Sequence, residues 1–157
     1  MTVQGDTEKA LAYSRRLISI RPRSEKELRD RLFQKRFKRE IILKVISCLK
    51  KENEINDLYF AKLWIESRII NNPRSSRLLK KELMQKGVSS SIIDTILSEI
   101  TEKDDVIARR FAKKRAEKMK ALSAVNAKRK LFSLLARRGF DIETIDDILR
   151  EIFAGRD

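Results

Sequence analysis

The chain has 157 residues, a formal net charge of +14 and no histidine; 38% of it is charged and 6% aromatic. Without histidine it lacks the commonest general base and metal ligand, and with one cysteine it can form neither a Cys/His zinc site nor an internal disulfide. Four Gly and two Pro leave little punctuation for β-hairpins, so an all-α fold is expected. The positive balance points to a polyanion or an acidic protein surface as partner. No apolar run approaches a membrane span and no signal-peptide pattern opens the chain. A soluble, cytoplasmic protein with no membrane partner and no cofactor is expected.

Residues 1 to about 6 are polar and are expected to fray. A first helix runs from near Thr7 to Ile20, with Ala10, Tyr13, Leu17 and either Ser14 or Ile18 on its apolar face. Pro22 ends it, because the residue before a proline avoids the helical region. Ser24 and Glu27 form a capping-box pattern for the next helix, which turns at Arg36-Phe37. A third helix, Arg39 to Lys51, carries Cys48 on its apolar side. Asn56 or Asp57 then caps a helix holding Phe60, Ala61, Trp64, Ile65 and Ile69, which stops at Asn71-Asn72-Pro73. Phe60 and Trp64 are assigned to core. A further helix ends at Gly87, where glycine accepts the left-handed conformation. Ser89 can cap the helix that follows, which runs from Ile92 to Ile100. From Val106 to about Met119 comes a strongly basic helix. Its linker to the next is about five residues longer than the earlier ones, with Asn126 as the best cap. Arg137-Arg138-Gly139-Phe140 repeats the glycine turn, Asp141 caps the last helix, and a disordered tail is expected from Ala154.

These helices repeat as triplets. Arg21-Pro22-Arg23-Ser24 and Asn72-Pro73-Arg74-Ser75 each precede a basic helix with leucines four apart, Leu28/Leu32 and Leu79/Leu83; Leu131/Leu135 is the third copy. The period is about 50 residues, within the range of stacked repeat units. Such units are too small to bury a core alone. The expected division is residues 7–54, 55–102 and 103–153, three tandem three-helix repeats. No phosphate-binding glycine loop is present. The acidic pairs Asp104-Asp105 and Asp146-Asp147 sit at helix starts, where carboxylates cap and offset the dipole. An enzyme is not expected; a metal-dependent nuclease acting through Asp104 and Asp105 is the remote alternative.

The ordered set Arg21-Pro22-Arg23-Ser24-Glu25-Lys26-Glu27-Leu28, Asn56-Asp57-Leu58-Tyr59-Phe60-Ala61, Lys81-Glu82-Leu83-Met84-Gln85-Lys86-Gly87-Val88 and Arg137-Arg138-Gly139-Phe140 resembles the RecX family, bacterial regulators of the RecA recombinase. The resemblance covers about residues 10 to 152. It departs at Asn56, where the family usually has Asp, and near Asn71-Asn72, where it usually has glycine. It implies an elongated, curved array of three-helix repeats lying in the groove of a RecA filament on single-stranded DNA. There the protein would bridge protomers and inhibit recombination and the co-protease activity behind the SOS response; a monomer is expected.

Repeated modules carrying basic side chains at matching positions suit a periodic partner, because each later contact is nearly intramolecular. The candidate partner-binding residues are Arg15, Arg16, Arg21, Arg23, Lys35, Arg36, Arg68, Arg74, Arg77, Lys80, Lys81, Arg109, Arg110, Lys113, Lys114, Arg137 and Arg138. Arg23 and Arg74 recur at one repeat position, and the run from Arg109 to Lys120 is the densest. The competing reading is a general DNA-binding helical module without RecA specificity, since paired helices with basic starts imitate helix-turn-helix units. Binding is expected to weaken steeply with salt. Affinities for naked DNA and for RecA–DNA filaments, measured across a salt series, separate the two readings. Much tighter filament binding favours the regulator, and equal or tighter binding to bare DNA favours the general module.

Overall fold

The computed structural model describes residues 3–155, and every regular element among them is an α-helix. The first triplet is α1 (Val3–Ile20), α2 (Glu25–Gln34) and α3 (Arg39–Lys51). The second is α4 (Asp57–Asn71), α5 (Ser76–Gln85) and α6 (Ser90–Glu99); the third is α7 (Asp104–Glu117), α8 (Ala124–Arg137) and α9 (Ile142–Phe153).

Several helix ends shift by a residue or two, as in α6 and α7, and three differences have a local reason. α1 starts about one turn before Thr7: polar residues do not oppose a solvent-facing helix, and Asp6 in the first turn offsets the dipole. Residues 1 and 2, also expected to fray, lie outside the described residues. α8 is capped by Ser123 rather than Asn126; the Ser123 hydroxyl accepts from the Asn126 N–H at 3.4 Å, and the added turn takes up part of the longer linker. Beyond α9, Ala154 and Gly155 form a turn where disorder was expected; Arg156 and Asp157 lie outside the described residues.

Packing divides the chain into two compact units. One joins the residues up to Trp64 with Glu82–Ile96, the other joins Ile65–Lys81 with the residues from Leu97 onward, so α4 and α5 contribute to both. The first unit is built on Ala10, Leu28, Leu32, Ile41, Ile42, Val45, Ile46, Leu49 and Ile55, with Tyr13, Leu17 and Ile18 of α1 packed against them. Both alternatives for the α1 face are used, since Ser14 is fully buried as well and returns its hydroxyl to Ala10 O at 2.9 Å. The second unit is built on Ile107, Ala108, Phe111, Ala112, Leu131, Leu135, Phe140, Ile145, Ile148 and Phe153. Ala10, Ala61 and Ala108, one in the first helix of each triplet, are all fully buried.

The turn between the second and third helix of a triplet is where conformation matters most. In the first unit, Gly87 adopts φ +81° and its Cβ would stand 2.5 Å from Lys26 Cβ. In the second unit, Gly139 adopts φ +83° and its Cβ would stand 2.6 Å from Ser75 Oγ and 3.0 Å from Leu78 Cβ. The corresponding residue of the first triplet is Arg36, at φ +62° with an exposed side chain. Glycine at the two later turns therefore meets two demands, left-handed backbone and close approach, and only the first of these acts at Arg36. Gly87→Ala is expected to lower stability by about 1–3 kcal/mol, whereas Arg36→Ala changes it by less than about 0.5 kcal/mol. Urea unfolding followed by circular dichroism checks both.

Candidate functional site

The serines that cap α2 and lead into α5 build the best-defined polar arrangements in the molecule. The fully buried Ser24 accepts from the Glu27 N–H at 3.1 Å, and Glu27 accepts back from the Ser24 N–H at 3.3 Å, closing the capping box read in the sequence. The Ser24 hydroxyl also donates to Lys86 O at 2.7 Å, beside Gly87. In the second unit, Ser75 accepts from the Leu78 N–H at 3.2 Å and donates its own N–H to Arg138 O at 2.9 Å, beside Gly139.

Carboxylates from a later helix complete both helix starts. Asp57 accepts from the Glu25 N–H at 2.9 Å, and Asp104 accepts from the Ser76 N–H at 3.0 Å and the Ser76 hydroxyl at 2.7 Å. Of the two caps expected for α4, Asn56 or Asp57, it is Asn56 that serves, accepting from the Tyr59 N–H at 3.1 Å; Asp57, and Asp104 which was expected to cap its own helix, are engaged elsewhere. Burial pushes the Asp57 carboxyl up, against the hydrogen bond from Glu25. With Asp105 bound to Arg109 at 2.7 Å, both carboxylates of the Asp104-Asp105 pair have structural partners, whereas Asp146 and Asp147, expected at a helix start, lie inside α9 because Asp141 caps it one turn earlier. Among the described residues, no group of three or more His, Cys, Asp or Glu could hold a metal ion.

At the end of each second helix a cation lies over an aromatic ring of the first. Lys35 Nζ is 5.5 Å from the centre of Tyr13, Lys86 Nζ is 4.6 Å from Trp64, and the Arg138 guanidinium is 4.2 Å from Phe111. Ring quadrupoles attract such cations. The first two pairs have equal sequence spacing; the third is five residues wider, matching the longer linker. Trp64 is therefore only partly core: it is half-buried, and its indole N–H donates to Glu82 at 2.9 Å. Phe60 is buried.

The candidate partner-binding residues fall into three groups. Arg15, Arg21, Arg109 and Arg110 are tied to carboxylates: Arg15 to Glu52 and Glu54, Arg21 to Glu27, Arg109 to Asp105 and Glu151, and Arg110 to Glu102. Arg23, Arg68, Arg74, Lys80 and Arg138 are half-buried. In Arg23, Arg74 and Arg138 the Nε is among the buried atoms, and burial lowers the proton affinity of Arg23, helped by the nearby Arg21. The third group is exposed. Lys35 lies over its ring and Arg77 reaches Gly139 O at 3.5 Å. Arg16, Arg36, Lys81, Lys113, Lys114 and Arg137 take no carboxylate partner among the described residues.

Three family models match the chain in order: the first three-helix domain of RecX over residues 10–49, the second over 56–97 and the third over 103–149. A regulatory protein RecX of Chlorobium phaeobacteroides is 34% identical over 148 residues, spanning 94% of this chain and 96% of that protein. The chain belongs to the RecX family. RecX of Chlorobium limicola is 31% identical over 92% of this chain and 89% of its own length. RecX of Streptococcus sanguinis is 35% identical over 78% of this chain, and that match spans 47% of its own length. The crystal structure of RecX from Lactobacillus salivarius superposes with a TM-score of 0.73 at 24% identity, over 96% of this chain and 99% of that one, a likeness of fold. These relatives are named regulatory proteins, and no described helix is long and apolar enough to cross a membrane.

The elements that carry the RecX resemblance are thus the ones that hold the turns together. Glu27 illustrates it. Burial raises its pKa, but hydrogen bonds from Arg21 and from Lys86, the latter at 2.6 Å, outweigh that and hold the carboxyl down at about 2. A depressed carboxylate contributes stability that is present above its unfolded pKa and lost as pH falls through the folded one. Wild type is therefore expected to lose stability between about pH 4.5 and pH 2 through this group. Glu27→Gln is expected to cost about 1–3 kcal/mol at pH 7 and to flatten that part of the profile, as read by urea midpoints over a pH series.

Proposed function

We propose that this chain binds RecA and RecA–single-stranded DNA filaments and inhibits recombinase, strand-exchange and co-protease activity, and so modulates DNA repair and the SOS response. Membership of the RecX family, with all three of its three-helix domains in order, is the observation that supports this reading. The charge pattern supports it too. The exposed cations that take no carboxylate partner among the described residues, Arg16, Arg36, Lys81, Lys113, Lys114 and Arg137, remain available to a polyanionic or acidic partner. Arg15, Arg21, Arg109 and Arg110 would have to give up an internal ion pair to contribute. The protein acts in the cytoplasm, as a monomer, without catalysis of its own.

The mechanism is summation of weak contacts. One exposed ion pair contributes about 0–1 kcal/mol, so inhibition depends on several side chains acting together on a filament that repeats its surface. Replacing Lys81, Lys113 and Lys114 together by Glu is expected to leave helix content and the thermal midpoint unchanged. The concentration needed for half-inhibition of RecA strand exchange should rise roughly ten- to a hundredfold. Undiminished inhibition by this variant would remove these lysines from the interface. Absence of inhibition by the wild type would overturn the functional reading.

A further inference from the structure

Phe111 of α7 carries two cations. The Arg138 guanidinium lies 4.2 Å from the ring centre, and that of Arg115, one helical turn along α7, lies 5.3 Å from it. Arg137 stands next to Arg138 at the end of α8 and is exposed, as is Arg115. Several other arginines of the chain are offset by carboxylates: Arg15 has two, Arg109 has two, and Arg21 shares Glu27. Arg115, Arg137 and Arg138 have none among the described residues.

Arg138 is held in place but not neutralised. Its Nη1 donates to Leu134 O at 3.3 Å and its Nη2 to Asn72 Oδ1 at 3.2 Å, while its Nε is buried without a hydrogen-bond partner. A guanidinium has five N–H donors, so two bonds to neutral oxygens leave donors unused and the charge intact. Its proton affinity is lowered by burial first, then by the fields of Arg115, Arg74 and Arg137, with no acidic group opposing them. The fold thus places like charges together and uses the Asn72 and Leu134 oxygens to fix one of them. An arriving anion would relieve that repulsion.

We propose that Arg115 and Arg138, both lying over Phe111, form with the neighbouring Arg137 a binding site for a phosphate group. Phosphate is the occupant we assign because its several oxygens can serve cations from separate positions on α7 and at the end of α8. A tetrahedral oxyanion can accept from several directions, whereas a planar carboxylate is best served by one in-plane fork. Phe111 is 8% exposed, so it supports the guanidinium planes and does not stack bases. The site does not depend on the RecA reading, since it is measured without RecA.

The test is a titration of the 15N-labelled full chain, following side-chain Nε–H signals of arginine, with inorganic phosphate, with a short oligothymidylate and with polyglutamate at matched ionic strength. Signals of Arg138 and Arg115 are expected to move with phosphate or with the oligonucleotide. Arg115→Gln with Arg137→Gln is expected to lower that affinity at least tenfold while the circular dichroism spectrum stays unchanged. Response to both probes assigns the group to a nucleic-acid backbone, and response to inorganic phosphate alone assigns it to a small phosphate ligand; either supports the site. No movement with either probe, an undiminished response in the double variant, or an equal response to polyglutamate overturns it.

Discussion

A buried serine at a helix start, meeting the carbonyl before a glycine turn, is the interaction on which the packing of both units depends. It works because three requirements coincide. The helix start has backbone N–H groups to satisfy, the turn has a carbonyl to satisfy, and the glycine after that carbonyl brings no side chain between them. Ser24 with Lys86-Gly87 and Ser75 with Arg138-Gly139 solve the same problem with different hydrogen bonds, the hydroxyl donating in one and the backbone N–H in the other. Asp57 and Asp104 reinforce the same helix starts from a third direction. Polar accounting of this kind fixes register, which apolar stripes of Leu and Ile alone would leave loosely specified.

The second theme is how the excess positive charge is divided. Part of it holds the fold: Arg15 closes on Glu52 and Glu54, Arg109 joins α7 to Glu151 of α9, and Lys86 serves both Glu27 and the Trp64 ring. Another part, Arg16, Arg36, Lys81, Lys113, Lys114 and Arg137, is exposed and takes no carboxylate partner among the described residues. Exposed ion pairs contribute little to stability one at a time, so a net charge of +14 is more than folding requires. That excess is what the proposed acidic or polyanionic partner would use. Cys48 adds nothing to this chemistry; burial and the neighbouring Glu52 push its thiol up, which makes it a poor nucleophile.

Helices and their order were legible in the sequence because the apolar period, the capping box and the two glycines agree with one another. Ser24, Gly87, Gly139 and Asp141 each perform the role their residue type suggests. What sequence could not reach were the pairings between distant segments. Asp57 and Asp104 look like caps of their own helices, and only the fold shows that they serve Glu25 and Ser76. The basic residues looked alike on paper. Their separation into paired, half-buried and free depends on which carboxylates the packing brings near, a matter of three-dimensional proximity. One signal was present and unread: the matched spacing of Tyr13 to Lys35 and Trp64 to Lys86, widened in the third triplet by the length of its linker.

Arg36 sets the first turn apart from the other two. The later turns need glycine because a helix start is pressed against them; the first keeps a long charged side chain in a left-handed conformation and is open to solvent. Left-handed backbone is thus tolerated at this turn with a full side chain, so its cost is borne once by the backbone and not a second time by packing.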